Sequence, residues 1–362
     1  MAADIGTSTR RFERWLGAML HLRRDDLAYK HEMMAADPFS FLRATFYRWA
    51  ELWPKALPDL SQAPTVLAIG DLHVENYGTW RDAEGRLVWG INDFDETAWM
   101  PYTIDLVRLA TSAGLAAAEG HLDIDLKDAC DSILRGYRRA LRMNGKPFVL
   151  AENDRWLRKL AQGRLRDPVV FWGNLNSLPT ARGPIPERAQ SLLLERLPPG
   201  VDRVRFGRRR SGMGSLGRDR VVAIADWHGS LIAHEAKALA PSAWEWANPA
   251  RARGHILYQE LAGAAVRCPD PTVEVSQSWL VRRLSPDCSR IELDSLPKSR
   301  DEGRLLKAMG WEAANIHLAT TGARKLIISD LARRKTGWLR DASTQMSRLL
   351  RDDWKAWRSA PK

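Results

Sequence analysis

Apolar residues recur at helical spacing over several long stretches in the N-terminal part of the chain. Between Thr9 and Trp53 the spacing predicts two helices that are broken near Asp37-Pro38, because proline seldom continues a helix. The same spacing returns over residues 102–118 and 124–143. This part of the chain is therefore predicted to be mainly helical.

Two short apolar runs interrupt the helical pattern, and polar residues follow each of them. Thr65–Ile69 leads into Gly70-Asp71, and Leu87–Ile91 leads into Asn92-Asp93-Phe94-Asp95. A short apolar run bounded by glycine, aspartate or asparagine is typical of a buried strand that ends in a loop. Both polar segments are therefore predicted to lie at strand ends.

The pattern changes character after about residue 200. Val201–Phe206 alternates apolar and charged residues, Val221–Ala225 is rich in β-branched residues, and Leu231–Lys237 continues as a third strand after a turn. Thr272–Val275 and Trp279–Leu284 are two further strand candidates. Together these runs predict a small antiparallel sheet.

The remaining segments complete a three-part organisation. A helix is predicted from about Pro249 to Val266, and the chain is predicted to be helical from Ser299 onward. Residues 167–200 are rich in proline, glycine and asparagine, which places a domain junction there. The predicted fold class is α+β, with a helical lobe in 1–195, a small sheet-bearing lobe in 200–285 and C-terminal helices in 286–362 that complete the first lobe.

Charge adds one open question to this picture. The 362 residues carry a formal net charge of +11, and the sequence pI is about 9.8. Such a charge is compatible with nucleic acid, a membrane surface or a phosphate-rich ligand. The compact basic cluster Arg208-Arg209-Arg210 lies beside a glycine-rich loop and not on a recognisable DNA-reading helix, so a solvated basic surface is the alternative interpretation.

Cysteine usage and hydropathy point to the cytoplasm. Cys130, Cys268 and Cys288 are widely spaced, which argues against a disulfide framework or a zinc site. Residues 1–11 lack the apolar core of a signal peptide, and no run of about 18 apolar residues is present. We therefore expect a soluble cytoplasmic protein that does not contact membranes.

The segment from Gly70 to Asn76 carries the sharpest chemical signal. Its Asp71 is followed five positions later by Asn76, on a loop after a strand, which places both polar ends in one cleft. Phosphoryl transfer needs a carboxylate that accepts the proton of the attacking hydroxyl, and oxygen ligands that hold Mg²⁺ on the nucleotide phosphates. The segment resembles the catalytic loop of protein kinases and aminoglycoside phosphotransferases. The resemblance implies that Asp71 is the base and Asn76 a metal ligand. His73 is counted with the catalytic residues, although a histidine in such a loop more often orients the backbone.

Asn92-Asp93-Phe94-Asp95 resembles the metal-binding Asp-Phe motif of the same families. By that resemblance Asp93 is the principal Mg²⁺ ligand, and Asp95 occupies the place of a glycine in protein kinases. The alternative is that these aspartates and asparagines are ordinary turn formers, since both residue types are common after strands. Any one of them alone favours that alternative, whereas the combined spacing favours a site.

A glycine-rich motif begins at Gly212, well after the two polar segments that follow the strands. Gly212-Met213-Gly214-Ser215-Leu216-Gly217 matches a Gly-x-Gly-x-x-Gly loop, in which Gly212, Gly214, Ser215 and Gly217 are predicted to contact a nucleotide. A dinucleotide fingerprint must open into a helix, whereas the residues after this loop are strand-like. The loop therefore resembles the phosphate-covering loop of kinases, which lies in a hairpin.

Lys237 falls on the third predicted strand of this sheet. A kinase places there the lysine that pairs with the α- and β-phosphates, and a glutamate on the next helix orients it. Glu260 is the candidate for that glutamate, with Glu245 and Glu235 as competitors. A solvated lysine at a strand edge is the alternative interpretation of Lys237.

The order of these motifs differs from that of a kinase. A kinase begins with the glycine loop and reaches the catalytic loop later, whereas this chain has Asp71 before Gly212. Trp279–Leu284 corresponds to the strand before the interlobe hinge, and the helix around Leu305 and His317 to the long helix before the catalytic strand. The order is that of a circular permutation opened just before Thr65, which is tolerated where termini lie close together.

The motifs together resemble one uncharacterised bacterial family, catalogued as domain of unknown function 2252. The resemblance spans about residues 23–322 and implies a kinase-like fold without an established substrate. The chain departs from the family pattern at Ala44, where glycine is usual, and after Lys237, where Glu-Ala is usual. The motifs that carry the resemblance are Pro38-Phe39-Ser40-Phe41-Leu42-Arg43, Gly70-Asp71-x-His73-x-x-Asn76, Asn92-Asp93-Phe94-Asp95, Asp105-Leu106-x-Arg108-Leu109 and Gly214-Ser215-x-Gly217.

The sequence thus predicts an ATP- and Mg²⁺-dependent phosphotransferase of protein-kinase-like fold in permuted order. Its partners would be the nucleotide and an unknown hydroxyl acceptor, either a small molecule or a protein side chain. Two other classes stay open: a catalytically silent nucleotide-binding or scaffold module, and a basic nucleic-acid-binding protein. A steep salt dependence of binding to arbitrary DNA or RNA would identify the last.

Overall fold

A computed structural model describes residues 3–151, 153–161, 167–181, 184–288 and 301–360. The protein has a mixed α and β fold, which confirms the predicted class at that level. No helix within these residues is both long and apolar enough to span a bilayer. Helices dominate both ends of the chain, and strands lie between them.

The N-terminal segment is more broken than the sequence predicts. The predicted break at Asp37 is confirmed, because this residue caps the next helix by accepting the Ser40 N–H at 2.7 Å while Pro38 occupies the first turn. Further breaks separate the chain into shorter helices. The helices are α1 (Ile5–Gly17), α2 (Arg24–Ala36), α3 (Pro38–Ala44), α4 (Phe46–Ala56), α5 (Pro58–Ser61), α6 (Thr103–Ala118) and α7 (Leu126–Arg142).

Two small antiparallel sheets lie among these helices. Both predicted strands are confirmed, one of them with identical bounds, and three more strands pair with them. The strands pair in the orders β1-β4 and β2-β3-β5. Their bounds are β1 (Thr65–Ala68), β2 (Tyr77–Arg81), β3 (Leu87–Ile91), β4 (Ala98–Pro101) and β5 (Phe148–Val149).

A larger sheet occupies the middle of the chain, as the sequence predicts. Its five strands are antiparallel and follow the order β6-β7-β8-β10-β9. Helices α8 (Arg155–Ala161), α9 (Pro168–Asn176) and α10 (Glu187–Arg196) precede it. The strands are β6 (Asp202–Arg208), β7 (Arg220–Trp227), β8 (Ser230–Ala238), β9 (Glu274–Ser276) and β10 (Trp279–Leu284).

Both faces of this sheet are covered by helices that the sequence assigned to the first lobe. Leu192 and Leu193 of α10 pack against one face, at Ala223 and Ala236. Leu175 of α9 packs against the other face within a second apolar cluster. Helices α9 and α10, which precede the predicted start of the sheet-bearing lobe at residue 200, therefore bury apolar side chains against the sheet.

The helix predicted from Pro249 to Val266 is much shorter in the structure. A single 3-10 turn covers Pro249–Arg251, and α12 spans only Tyr258–Ala264, after the short helix α11 (Ala243–Ala247). Gly254 interrupts the apolar spacing with a φ of +69°, a conformation foreign to an α-helix. The C-terminal part is helical as predicted, with α13 (Glu302–His317), α14 (Ala323–Arg333) and α15 (Trp338–Ser359).

Helices α7 and α13 cross at two glycines. A Cβ on Gly136 would lie 1.8 Å from the Lys307 carbonyl oxygen, and a Cβ on Gly310 would lie 2.1 Å from the Ile133 carbonyl oxygen. Backbone therefore meets backbone at this crossing, and no side chain can yield to make room. The contact matters for the site because α13 also carries His317.

We expect Gly136→Ala to destabilise the protein by about 1–3 kcal/mol or more, the usual cost of overpacking. Helix propensity alone would favour alanine by about 1 kcal/mol, so a net loss would be due to the steric clash. Gly173→Ala on α9 is the matched control, since a Cβ there meets nothing within 4 Å. Urea denaturation of both variants measures the difference. Equal stability of the two would contradict the close helix crossing.

Candidate functional site

The loop that contains Asp71 joins β1 to β2 and closes on itself. Gly70 has a φ of +83°, and a Cβ there would lie 2.6 Å from the Glu96 carbonyl oxygen, so both conformation and space require glycine. Asn76 Nδ2 donates to the backbone carbonyl of Asp71 at 2.7 Å. The Asn92 N–H donates to the Asn76 carbonyl at 3.1 Å, which ties the end of β3 to the start of β2.

A buried aspartate on α6 anchors the start of this loop. Asp105 accepts the backbone N–H groups of Ile69 and Gly70, each at 2.8 Å. His317 Nε2 lies 2.9 Å from an Asp105 carboxylate oxygen, and its Nδ1 lies 2.7 Å from the hydroxyl of Tyr137. This buried network fixes the loop backbone relative to α6 and α13.

Arg108, one turn after Asp105, holds the carboxylate of Asp71. Its Nε donates to Asp71 Oδ1 at 2.9 Å, while Nη2 donates to the same oxygen and to the Leu42 carbonyl. The guanidinium is completely buried and lies 5.2 and 5.0 Å from the ring centroids of Phe46 and Trp49. Burial raises the pKa of Asp71 to about 7, although Arg108 opposes this shift. A carboxyl group that titrates near neutral pH suits a general base.

Asp93 and Asp95 share one lysine. Lys237 Nζ lies 2.6 Å from Asp95 Oδ2 and 3.4 Å from Asp93 Oδ1. Burial opposes ionisation of both carboxyls, but at Asp93 the charges of Lys237, Arg282 and Arg220 and a hydrogen bond with Asp95 together outweigh burial, so that its pKa lies below the ordinary value. Burial and the Asp93 charge raise the pKa of Asp95. Asp93 is the more accessible of the two, with 41% of its side chain exposed against 9% for Asp95.

The predicted partner of Lys237 is not the one that the structure provides. Among the described residues, the carboxylates within ion-pair distance of Lys237 are those of Asp93 and Asp95. Glu260 is exposed on α12, which begins nine residues later than the predicted helix. Glu235 is buried and paired with arginines of the sheet. The carboxylates of Asp93 and Asp95, which follow β3, therefore take the place of the glutamate that the sequence predicted on a helix.

The glycine loop lies between β6 and β7, within a hairpin as predicted. It approaches the loop of Asp71 so closely that a Cβ on Gly214 would lie 3.1 Å from Asp71 Oδ2. Gly212, Gly214 and Ser215 line the same cleft as Asp71. Gly217, with a φ of +96°, packs instead against the side chain of Leu27. Three of the four predicted loop contacts thus face the cleft.

The N-terminal helices hold the glycine loop from behind. The Arg23 N–H donates to the Gly217 carbonyl at 2.8 Å, and Lys30 Nζ on α2 donates to the Gly214 carbonyl at 3.1 Å. Lys30 is buried, and burial together with the nearby charge of Arg218 lowers its pKa to about 8. The loop is therefore supported by Arg23 and Lys30, of which Lys30 lies 184 positions before its partner Gly214.

His73 lies beside the cleft as an orienting residue. Its Nδ1 accepts the N–H of Glu75 at 3.2 Å, and its ring meets Phe39 edge-on with centroids 6.4 Å apart. The side chain is buried and lines the cleft. This geometry matches the alternative in which the histidine shapes the loop.

The cleft between the two loops is acidic and has an empty volume of about 540 Å³. Arg108, Lys237, Arg43 and Arg218 pair with carboxylates of the cleft, and a bound cation would further reduce the repulsion between these carboxylates and an anionic ligand. The ionisable side chains that line it are the carboxylates of Asp71, Glu75, Asp93, Asp95 and Glu96, the guanidiniums of Arg43 and Arg218, and the imidazole of His73.

The donor set suits magnesium better than a softer metal. Within the described residues, no cluster of three or more histidine, cysteine, aspartate or glutamate side chains could hold a metal ion. Asn76 and Asp93 nevertheless both line the cleft, and Asp95 Oδ1 is buried without a hydrogen-bond partner among the described residues. Oxygen donors are the ligands that Mg²⁺ prefers, and it usually keeps water and phosphate oxygens in its shell.

A second cavity adjoins the cleft and shares Asn92 with it. Its empty volume, including space that is open to solvent, is about 690 Å³. Phe94 and Tyr258 contribute aromatic walls, and the Arg267 guanidinium lies between the rings of Phe94 and Trp80, 4.8 and 4.5 Å from their centroids. The chain therefore offers a polar cleft and an aromatic cavity side by side.

One protein-family model matches a part of the chain. Residues 23–161 match the family described as an uncharacterized protein conserved in bacteria, DUF2252. The resemblance predicted from the motifs is thereby confirmed for this segment. Searches of curated proteins and of solved structures found no match.

The DUF2252 segment contains only part of the cleft. Asp71, Asn76, Asp93 and Arg108 lie inside residues 23–161, whereas the glycine loop and Lys237 lie outside them. The sequence included Asp105 and Arg108 in a family motif without giving them a role. The signal for that role was present, because an aspartate and an arginine in an otherwise apolar helix must be paired or bound when they are buried.

Proposed function

We propose that this protein is an ATP- and Mg²⁺-dependent phosphotransferase with a kinase-like, circularly permuted arrangement of its site. The observation that carries the proposal is the meeting of two distant segments. Lys237 contacts Asp93 across 144 positions of sequence, and the glycine loop covers the loop of Asp71 and Asn76. Local sequence preference cannot produce such a meeting, and phosphoryl transfer needs all of these groups at one place.

The residues present fit a nucleotide held with magnesium. Asp93 and Asn76 would hold Mg²⁺, which neutralises phosphate charge when bound. Gly212 and Gly214 would face the phosphates through backbone N–H groups, and Ser215, whose N–H donates to the Gly212 carbonyl at 3.2 Å, would support that loop conformation. The aromatic cavity at Phe94 and Tyr258 would take the rest of the nucleotide, since nucleobases stack on aromatic rings. The excess of carboxylates in the cleft supports a requirement for the metal.

In this proposal Asp71 accepts the proton of the acceptor hydroxyl at Oδ2, the oxygen that Arg108 does not engage. The oxygen that loses the proton forms the new bond to phosphorus, and ADP leaves with the electrons of the broken bond. Arg108 keeps Asp71 in one orientation, and Asp105 keeps the loop backbone in place. Lys237 and Arg218 add positive charge beside the phosphate side of the cleft.

Labelled ATP tests the proposal directly. Purified protein is incubated with Mg²⁺, a metabolite extract and ATP labelled at either the α or the γ position. Transfer of the γ label supports a phosphotransferase. Transfer of the α label would instead indicate a nucleotidyltransferase that uses the same cleft, and the absence of any transfer would argue against an enzyme.

A catalytically silent nucleotide-binding module is the second candidate, and one observation favours it. A Cβ on Gly214 would lie 3.1 Å from Asp71 Oδ2, so that the glycine loop leaves little space for an acceptor hydroxyl beside this oxygen. A silent module would bind ATP without ever opening this contact. An active transferase must move the glycine loop away from Asp71, so that hydrogen exchange in residues 212–217 should accelerate when the acceptor is present.

We expect ATP to raise the melting temperature only when Mg²⁺ is present, because a ligand of the native state stabilises by mass action. Asp93→Asn should remove most of that shift, since it takes the principal metal oxygen out of the cleft. Asp226→Asn on β7 is the matched control, because it also removes a carboxylate that is paired with a cation, here Arg203, but outside the cleft. A shift that survives in Asp93→Asn, or that needs no metal, would move the metal site elsewhere.

A further inference from the structure

Arg218 follows the glycine loop and is buried in the cleft. Only 5% of the residue is exposed, and its side chain lines the space that Asp71, Asn76 and Asp93 also line. The backbone of Arg218 forms an isolated β-bridge with Leu22, which fixes where the side chain starts. No motif in the sequence assigns a role to this residue.

The hydrogen-bonding capacity of this guanidinium is largely unused. Nη2 donates to Glu96 Oε1 at 3.2 Å, while Nε and Nη1 are buried without a hydrogen-bond partner among the described residues. An arginine presents five N–H donors in a rigid fork and cannot lose its charge. Buried donors of this kind are normally satisfied, so that an unsatisfied pair calls for a ligand.

The neighbouring carboxylates do not accept hydrogen bonds from Arg218 Nε and Nη1. Asp95 Oδ2 lies 3.9 Å from Arg218 Nη1, beyond hydrogen-bond distance, and only 2.6 Å from Lys237 Nζ. Glu96 Oε2 accepts the Ala243 N–H at 2.6 Å and lies 3.1 Å from Ser242 Oγ, which fixes the carboxylate against α11. Glu96 therefore engages Nη2 and fixes the orientation in which Nε and Nη1 are left without acceptors.

We propose that Arg218 is a phosphate-binding residue of this site, whose Nε–H and Nη1–H groups each donate to an oxygen of the polyphosphate part of the nucleotide. This inference rests on the proposed function. Lys237 is already paired with two carboxylates, Asp93 and Asp95. Arg218, in contrast, is a cation in the cleft that has donors without acceptors. The guanidinium holds these donors in fixed directions in one plane, whereas a lysine ammonium acts as a flexible point charge.

The test compares ligands that differ only in phosphate content. Isothermal titration with Mg²⁺ present measures the binding of ATP, AMP and inorganic tripolyphosphate to the wild type, to Arg218→Met and to Arg218→Lys. We expect Arg218→Met to weaken ATP and tripolyphosphate by about 10- to 100-fold, the usual effect of losing a charge-assisted hydrogen bond. AMP should change far less, and Arg218→Lys should recover only part of the loss.

Arg208→Met serves as the matched control. Arg208 lies on the other side of the glycine loop and pairs with Asp219 at 2.9 Å, away from the cleft lining. Its loss should leave all three affinities within about 3-fold of the wild type, because the pair lies outside the cleft lining and Asp219 keeps Arg23 within ion-pair distance. The melting temperature without ligand shows whether each variant is folded, and Arg218→Lys keeps the comparison informative where Arg218→Met is unstable.

The outcomes separate this inference from the proposed function. Failure of the wild type to bind ATP and tripolyphosphate would overturn both. Wild-type binding that persists in folded Arg218→Met or Arg218→Lys would overturn only the role of Arg218. An equal loss for AMP and ATP would also overturn it, because Arg218 would then support the fold of the cleft and not the recognition of phosphates.

Discussion

Replacing Asp71 with asparagine is expected to lower turnover by about 10²- to 10⁴-fold, the usual contribution of a positioned general base. The substitution keeps the shape of the side chain but removes the proton acceptor. Asparagine can still accept the Arg108 donors through its amide oxygen, so that the loop geometry should survive. The dissociation constant of MgATP should therefore stay near the wild-type value, and the loss should appear in kcat.

The pH profile of the wild type provides an independent reading of the same residue. The pKa of Asp71 is about 7, and only the ionised carboxylate can accept a proton. We expect kcat/KM to rise with pH through about 7 and then to level off. Asp71→Asn should abolish this limb in whatever activity remains. A rate that depends on pH in the same way in both forms would assign the titration to another group.

Equal losses in ATP binding and turnover on Asp71→Asn would identify Asp71 as a metal ligand or a structural residue. Glu75→Gln is the matched control within the same loop, because its carboxylate lines the cleft and pairs with Arg43 at 2.6 Å. The proposal gives Glu75 no proton to accept. A larger loss of turnover for Glu75→Gln than for Asp71→Asn would reverse the assignment of the base.

Replacing Arg108 with methionine is expected to destabilise the protein by about 3–5 kcal/mol at pH 8, the cost of leaving one member of a buried ion pair. Arg108 is completely buried, donates to Asp71 and to the Leu42 carbonyl, and lies over two aromatic rings. Methionine fills a similar volume but satisfies none of these groups. Urea denaturation measures the change.

The loss should be smaller at pH 6, and the sign follows from linkage. The pKa of Asp71 in the folded protein lies far above its ordinary value of 3.8, so that ionisation opposes folding and stability falls as pH rises through that interval. Without Arg108 the folded pKa rises further, since Arg108 lowers it. The double variant Arg108→Met, Asp71→Asn should recover part of the stability at pH 8, because no buried carboxylate is left uncompensated.

Arg340→Met is the control for this pair of measurements. Arg340 is exposed on α15 and pairs with its neighbour Asp341, so that its loss should change stability by less than about 0.5 kcal/mol. If Arg108→Met lost no more stability than Arg340→Met, the Asp71–Arg108 pair would contribute little to the free energy of unfolding. A double variant that is less stable than Arg108→Met at pH 8 would also contradict the buried-charge explanation.

Hydrophobic spacing alone determined much of the local structure. The strand β3, the hairpin that contains the glycine loop, β10, and the helices α6 and α7 follow from patterns of 5 to 20 neighbouring residues. Errors arose where a glycine interrupted an apolar run, as at Gly254 in the overlong helix before Val266. Short-range spacing cannot register a single backbone conformation that breaks the run.

The pairing of charged groups was decided only by the tertiary structure. The sequence offers three glutamates as candidate partners of Lys237. In the structure Lys237 pairs instead with Asp95 and Asp93, because the segment after β3 lies next to β8. The role of Arg108 likewise depends on α6 passing under the loop of Asp71. Such contacts join residues far apart in the chain, where local propensity carries no information.

The same distinction applies to the candidate site. The sequence by itself determined which residues could do chemistry, because aspartate, asparagine and glycine at fixed spacing after strands are what phosphate and metal chemistry requires. The tertiary structure decided which of them face one another, that Arg218 has donors to spare, and that Glu260 does not reach the cleft. The physical reason is that burial and Coulomb interactions depend on distance in space, whereas spacing along the chain fixes only the neighbours within one element.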